Sequence, residues 1–122
     1  MNQILYYIFL VLLAGFFIYA GAMHFKKAWF FEKIVPPILK KWKKSINIIS
    51  GIAEILGGIG LLIPQTRVMA AWGLIALLIA VFPANLYMYQ SKGAGMKISQ
   101  KFLLIRLPLQ LVLIAWAFYY TR

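Results

Sequence analysis

Residues 46–63 read INIISGIAEILGGIGLLI, an apolar run that carries a single acid, Glu54. A membrane-crossing helix needs about 20 predominantly apolar residues to pass a hydrocarbon core of roughly 30 Å. This run and three others come close to that length or exceed it, and they predict transmembrane helices over residues 4–25, 46–63, 68–89 and 102–120. We therefore expect one all-α domain, an integral membrane four-helix bundle.

The composition favours the membrane class. Hydrophobic residues make up 64% of the chain and charged residues 12%, which leaves too little polar surface to cover a soluble core. The chain has no cysteine, so it lacks disulfides, thiol chemistry and thiolate ligands. One histidine and two acids are too few for a convincing metal or Ser-His-Asp site. We expect no metal, no haem and no independent enzyme.

The first span has a competing interpretation as a cleavable signal peptide. Residues 20–22 are Ala-Gly-Ala, which resembles the small-residue pattern of a cleavage site. The residues before the span carry no lysine or arginine, although a signal peptide normally has a basic start. This charge pattern favours a retained transmembrane helix.

The net charge of +11 is concentrated in two connections between predicted spans. Alternating spans place both connections on one side of the membrane, and the positive-inside rule then predicts cytoplasmic lysines and two outward-facing termini. We expect the lysines to bind anionic lipid, and we expect no nucleic acid, because the basic residues flank spans. The lysines are Lys26, Lys27, Lys33, Lys40, Lys41, Lys43 and Lys44 in the first connection, and Lys92, Lys97 and Lys101 in the second.

The first connection is unusually apolar. It contains Pro36 and Pro37, and paired prolines forbid a continuous helix because each lacks an N–H and restricts the residue before it. We expect a segment that lies at the membrane interface. Whether it simply follows the membrane surface or covers a site as a lid stays open at this point.

The second span carries a stripe of small and polar residues at three- and four-residue steps, which places them on one helix face. Small residues at this spacing let two helices approach closely in lipid. We therefore predict helix packing at Gly51, Gly57 and Gly58. The full stripe is Asn47, Ser50, Gly51, Glu54, Gly57, Gly58 and Leu61.

Five polar residues are predicted to meet in the cytoplasmic half of the bundle. A carboxylate within a membrane is costly unless it is neutralised or paired, so we expect Glu54 to pair with Arg106 at similar depth. Their expected neighbours are His24, Asn85 and Gln110. Such a cluster is either a purely structural ion pair that fixes helix register or a site for a ligand, a quinone or a proton.

The sequence resembles the DoxX family of small four-helix membrane proteins. The resemblance covers nearly the whole chain and rests on short strings in a fixed order. They are His24-Phe25, residues 34–37 (IVPP), Ser50-Gly51 with Glu54, residues 57–64 (GGIGLLIP), Thr66-Arg67, residues 81–85 (VFPAN) and residues 106–110 (RLPLQ).

This resemblance implies a redox-associated protein of the bacterial inner membrane. It suggests binding of a small amphipathic ligand such as a quinone, or support of a membrane oxidoreductase partner. The expected partner is a membrane redox protein or, in a homo-oligomer, another copy of the chain. One alternative function is a structural subunit or chaperone in which the polar cluster only fixes helix packing. Another is a small proton-coupled exporter, although its acid would then lie on an unusual helix and its charge bias opposes dual insertion.

Overall fold

The computed structural model describes residues 2–93 and 99–121, and within these ranges the protein is all-α. Within these ranges, four helical segments are long and apolar enough to cross a membrane, which confirms the predicted all-α class and the four long apolar helices. Lys97, one of the lysines that predict the topology, lies outside the described ranges. The helices are α1 (Gln3–Lys26), α2 (Ala28–Lys33), a 3₁₀ helix (Pro37–Trp42), α3 (Lys43–Leu62), α4 (Arg67–Gln90) and α5 (Gln100–Tyr119).

Helix α3 packs against both α1 and α4, and α5 packs against α4. The glycines of α3 allow it to approach its neighbours closely. A Cβ atom on Gly58 would lie 2.8 Å from the backbone oxygen of Ala14, and one on Gly51 would lie 2.8 Å from the Cβ of His24. A Cβ on Gly57 would lie 2.5 Å from the Leu74 side chain. At Gly58 and Gly51 the α1–α3 interface therefore has room for a hydrogen atom and no more.

One end of the fold is closed by aromatic residues. The Tyr120 hydroxyl donates to the backbone oxygen of Tyr6 at 2.9 Å, which joins the end of α5 to the start of α1. The Arg67 guanidinium lies 5.8 Å and 5.7 Å from the ring centroids of Tyr6 and Tyr7. The main apolar core is formed by Leu13, Leu74 and other buried side chains.

The first connection folds onto the other end. Ile34 contributes to a small buried cluster with Met88 at the end of α4 and Leu103 at the start of α5. Pro36 is extended, and Pro37 begins the 3₁₀ helix, where its missing N–H costs no helical hydrogen bond. The connection is therefore partly an interior element, although its Trp29 and Ile38 side chains stay exposed.

Large apolar side chains point outward from all four long helices. Monomeric soluble proteins rarely expose apolar surface on this scale, so the exposed faces indicate a membrane protein. Examples are Ile4, Ile49, Met69, Ile79 and Leu111, of which each exposes more than half of its surface.

Candidate functional site

A cavity of about 260 Å³ lies between the long helices and the first connection. Most of its wall is apolar, with Phe17, Leu78 and Leu113 among the lining residues. The five residues that the sequence predicted as a polar cluster all line it: His24 on α1, Glu54 on α3, Asn85 on α4, and Arg106 and Gln110 on α5. Asn47 and Ser50 on α3 also line it.

Glu54 and His24 meet on the α1–α3 side of the cavity. His24 Nε2 lies 3.2 Å from Glu54 Oε2, which is an ion-pair distance but lacks the alignment of a hydrogen bond. Glu54 is 9% exposed, and its Oε2 atom is buried without a hydrogen-bond partner among the described residues. A buried carboxylate oxygen in this state retains unused capacity to bind a polar group.

Asn47 fixes the orientation of the His24 ring. Its Nδ2 donates to the backbone oxygen of His24 at 2.8 Å, and its Oδ1 therefore faces His24 Nδ1, also at 2.8 Å. An amide oxygen can only accept, so Nδ1 carries a proton. The reversed amide would place two oxygens against each other at the backbone.

The contact between His24 and Glu54 depends on how many protons the two side chains hold. With Nδ1 protonated, an unprotonated Nε2 would direct its lone pair at an ionised Glu54 Oε2 only 3.2 Å away. A proton on either atom removes that repulsion. The contact is attractive when the pair holds one shared proton, either as imidazolium and carboxylate or as imidazole and carboxylic acid.

Phe31 covers the pair from the first connection. Its ring stacks on the His24 ring with a centroid distance of 3.9 Å and an interplanar angle of 17°. Ile34 and Val35, which follow it, are 5% and 4% exposed and also line the cavity. The connection thus supplies part of the cavity wall.

A second polar network lies on the α4–α5 side. Arg106 donates from Nη2 to Asn85 Oδ1 at 3.1 Å and from Nη1 to Met88 Sδ at 3.2 Å. Asn85 Nδ2 donates to Gln110 Oε1, and Gln110 Nε2 donates to the backbone oxygen of Leu78. Pro83 has no N–H, so one backbone hydrogen bond of α4 is missing at this point. The Gln110 side chain binds a backbone oxygen of the preceding turn.

The predicted direct pair of Glu54 and Arg106 is wrong for the described structure, where no oxygen of Glu54 lies within 4 Å of an Arg106 nitrogen. The two residues share the cavity but have other partners. Arg106 extends from α5, which packs on α4, so the amide of Asn85 is the acceptor it reaches. Glu54 faces α1 and reaches His24 instead.

Sequence reasoning placed Asn47 on the polar stripe but not in the site, and it did not select Phe31. The spacing of Asn47 and Glu54, seven residues apart, already puts both on one helix face. That spacing could have identified Asn47 as a site residue. No local pattern indicates that Phe31 folds back onto His24, because this depends on how the first connection packs.

Comparison with known proteins corrects the family assignment. No curated protein and no solved structure matches the chain significantly. The resemblance to DoxX is wrong, because the family model that matches is a different one, and it gives no support to the redox association that the resemblance implied. Its match spans residues 13–121, and the chain belongs to the family described as Domain of unknown function (DUF8561).

Proposed function

We propose that the protein is a multi-pass membrane protein in which a bundle of four helices binds one small amphipathic molecule in its cavity. The observation that carries this proposal is Glu54 Oε2, which is buried at the cavity and, among the described residues, has the His24 Nε2 contact at 3.2 Å but no aligned hydrogen bond. Leaving such a group unsatisfied costs about 1–3 kcal/mol, and more when it is charged. A ligand with a donor group removes that cost.

The shape and lining of the cavity limit the ligand. A volume of about 260 Å³ holds about nine water-sized groups, counted at roughly 30 Å³ each. Ligand pockets combine apolar walls with a few polar groups that orient the bound molecule. Here Glu54 and Arg106 supply the polar groups, and side chains such as Phe17 supply the apolar wall. The class that fits is a short amphipathic molecule or the head of a longer one, and it includes quinone heads.

The charge distribution supports a defined orientation in the membrane. The first connection and the end of α4, which carry most of the lysines, meet in the cluster of Ile34, Met88 and Leu103. Arg67 lies at the other end, beside Tyr6. The positive-inside rule then places the lysine end, and with it the cavity, toward the cytoplasm, with both termini outside.

A purely structural role for the polar residues is the main rival. Buried networks fix helix register well when every polar atom has a partner, whereas partly satisfied networks are costly. The network of Asn85, Arg106 and Gln110 fits a structural role. Glu54 fits it less well, because the contact of its Oε2 with His24 Nε2 lacks the alignment of a hydrogen bond and no other described residue bonds to that oxygen.

The test compares two leucine substitutions on α4. Ala84 lines the cavity and Ala80, one turn earlier, is exposed, so Ala84→Leu fills the cavity and Ala80→Leu is its matched control. Each protein is purified from native membranes in uncharged detergent, and small molecules in the extract are quantified by mass spectrometry. We expect one species near one mole per mole of chain in wild type and Ala80→Leu, and its loss in Ala84→Leu. Equal amounts of every species in all three samples would contradict the proposal.

A further inference from the structure

We infer that the ligand of this cavity carries a single negative charge on its head and binds it at Arg106. This inference rests on the proposed function, since it assumes that the cavity binds an amphipathic molecule. It adds the charge of the ligand and the side chain that recognises it.

The chain has two acidic residues to balance the charges of its described helices. Glu54 Oε2 lies 3.2 Å from His24 Nε2, and no oxygen of Glu54 lies within 4 Å of an Arg106 nitrogen. Glu32 lies in α2 and is not among the residues that line the cavity. Neither acid is therefore a counter-charge for Arg106.

The partners that Arg106 does have are neutral. Nη2 donates to the amide oxygen of Asn85, and Nη1 contacts the thioether of Met88, which is a weak acceptor. A guanidinium has five N–H donors, and these contacts with described residues use two of them. Among the described residues, Arg106 therefore has only neutral hydrogen-bond partners, and no carboxylate oxygen lies within 4 Å of it.

An anionic head on the ligand completes this arrangement. Charged groups within a membrane normally pair with an opposite charge, and a guanidinium binds carboxylate or phosphate through two parallel hydrogen bonds. Leu113, seven residues after Arg106 on α5, lies on the same helix face, and Phe17 and Leu78 also line the cavity. An apolar tail attached to the head lies against these side chains.

Two kinds of molecule combine an anionic head with an apolar tail: a free amphiphile with a carboxylate, and a bilayer lipid with an anionic headgroup. Both place one negative charge at Arg106 and an apolar chain along the cavity. The experiment below separates them by changing the lipid while the protein and the probe stay the same.

Three probes with one tail and different heads measure the charge preference: octanoate, 1-octanol and octyltrimethylammonium. Each is titrated calorimetrically into protein in uncharged detergent micelles, with the heat from empty micelles subtracted. We expect octanoate to bind at least about tenfold more tightly than 1-octanol, as a charge-assisted hydrogen bond provides, and the cation to bind most weakly.

Variants assign this preference to Arg106. Arg106→Gln should remove the preference for octanoate while 1-octanol still binds, and Arg106→Lys should retain part of it. Lys101→Gln removes an exposed charge on the same helix and should retain the full preference. If Arg106→Gln fails to fold, the three probes on wild type and on Arg106→Lys still show whether the cavity prefers an anion and whether that preference depends on the side chain at position 106.

Two results separate this inference from the proposed function. Equal binding of octanoate and 1-octanol by wild type, or a preference that survives Arg106→Gln, would overturn the charge assignment and leave ligand binding intact. No binding of any probe would overturn both. The same octanoate titration is repeated in phosphatidylcholine nanodiscs with added phosphatidylglycerol. If phosphatidylglycerol displaces octanoate and this requires Arg106, a bilayer lipid is the source of the anionic head. If octanoate binds without this competition, the source is a free amphiphile.

Discussion

His24 Nε2 lies 3.2 Å from Glu54 Oε2, and this contact joins α1 to α3 at the wall of the cavity. Asn47 holds the imidazole from its other side through Nδ1. The Glu54 Oε2 atom has this contact but no aligned hydrogen bond among the described residues. The contact predicts which pair of residues is energetically coupled.

A double-mutant cycle on Glu54→Gln and His24→Gln should show coupling of about 0.5–3 kcal/mol in the free energy of unfolding, as expected for residues in contact. The readout is unfolding in detergent. The reference is a second cycle with Glu54→Gln and Arg106→Gln, which should show smaller coupling because these side chains have different partners. Stronger coupling to Arg106 than to His24 would contradict the assigned pairing.

Asn47→Ala should lower the free energy of unfolding by about 1–3 kcal/mol, because it leaves buried polar atoms of His24 without partners. Ser45→Ala, at an exposed position in the first turn of the same helix, is the control and should stay within about 0.5 kcal/mol of wild type. Thermal unfolding in detergent measures both. An Asn47→Ala protein as stable as the control would show that the amide does not hold the ring.

Two glycine-to-alanine substitutions should change stability in opposite directions. Gly58→Ala places a Cβ 2.8 Å from the Ala14 backbone oxygen and should cost about 1–3 kcal/mol by forcing α1 and α3 apart. Gly73→Ala meets nothing within 4 Å and should stabilise α4 by up to about 1 kcal/mol through helix propensity. The same thermal assay measures them. Equal effects of the two changes would place Gly58 at a lipid-facing position.

The absence of cysteine permits a labelling test of orientation without background. Gln65→Cys lies in the exposed α3–α4 connection, and Ser45→Cys lies beside the lysines of the first connection. A membrane-impermeant maleimide should label Gln65→Cys on intact cells, and Ser45→Cys only after the membrane is permeabilised. The reverse pattern, or labelling of both on intact cells, would contradict the proposed topology.

Hydropathy predicted the four long helices because a bilayer imposes both their length and their apolar character. It placed their ends less well. The second span was predicted to begin at residue 46, whereas α3 begins at Lys43. Lysine is a good helix former, so the helix continues past the apolar segment that hydropathy detects. The DoxX resemblance was wrong because short apolar strings recur among unrelated membrane proteins.

Depth along each helix follows from counting residues, and this explains why the five predicted polar residues line one cavity. Pairing within the cavity also depends on how each helix is rotated and which neighbour it packs against. The packing of α5 on α4 directs Arg106 to Asn85, and the close α1–α3 contact at Gly51 brings His24 to Glu54. Sequence spacing gives no information about these rotations.

The central claim is that a small molecule occupies the cavity beside Glu54, and an experimental structure of protein purified from its native membrane tests it most directly. The account predicts non-protein density within hydrogen-bond distance of Glu54 Oε2 that extends toward Arg106, and the loss of that density in Ala84→Leu. A cavity filled by side chains, with the Arg106 guanidinium turned onto the Glu54 carboxylate and no additional density, would contradict it.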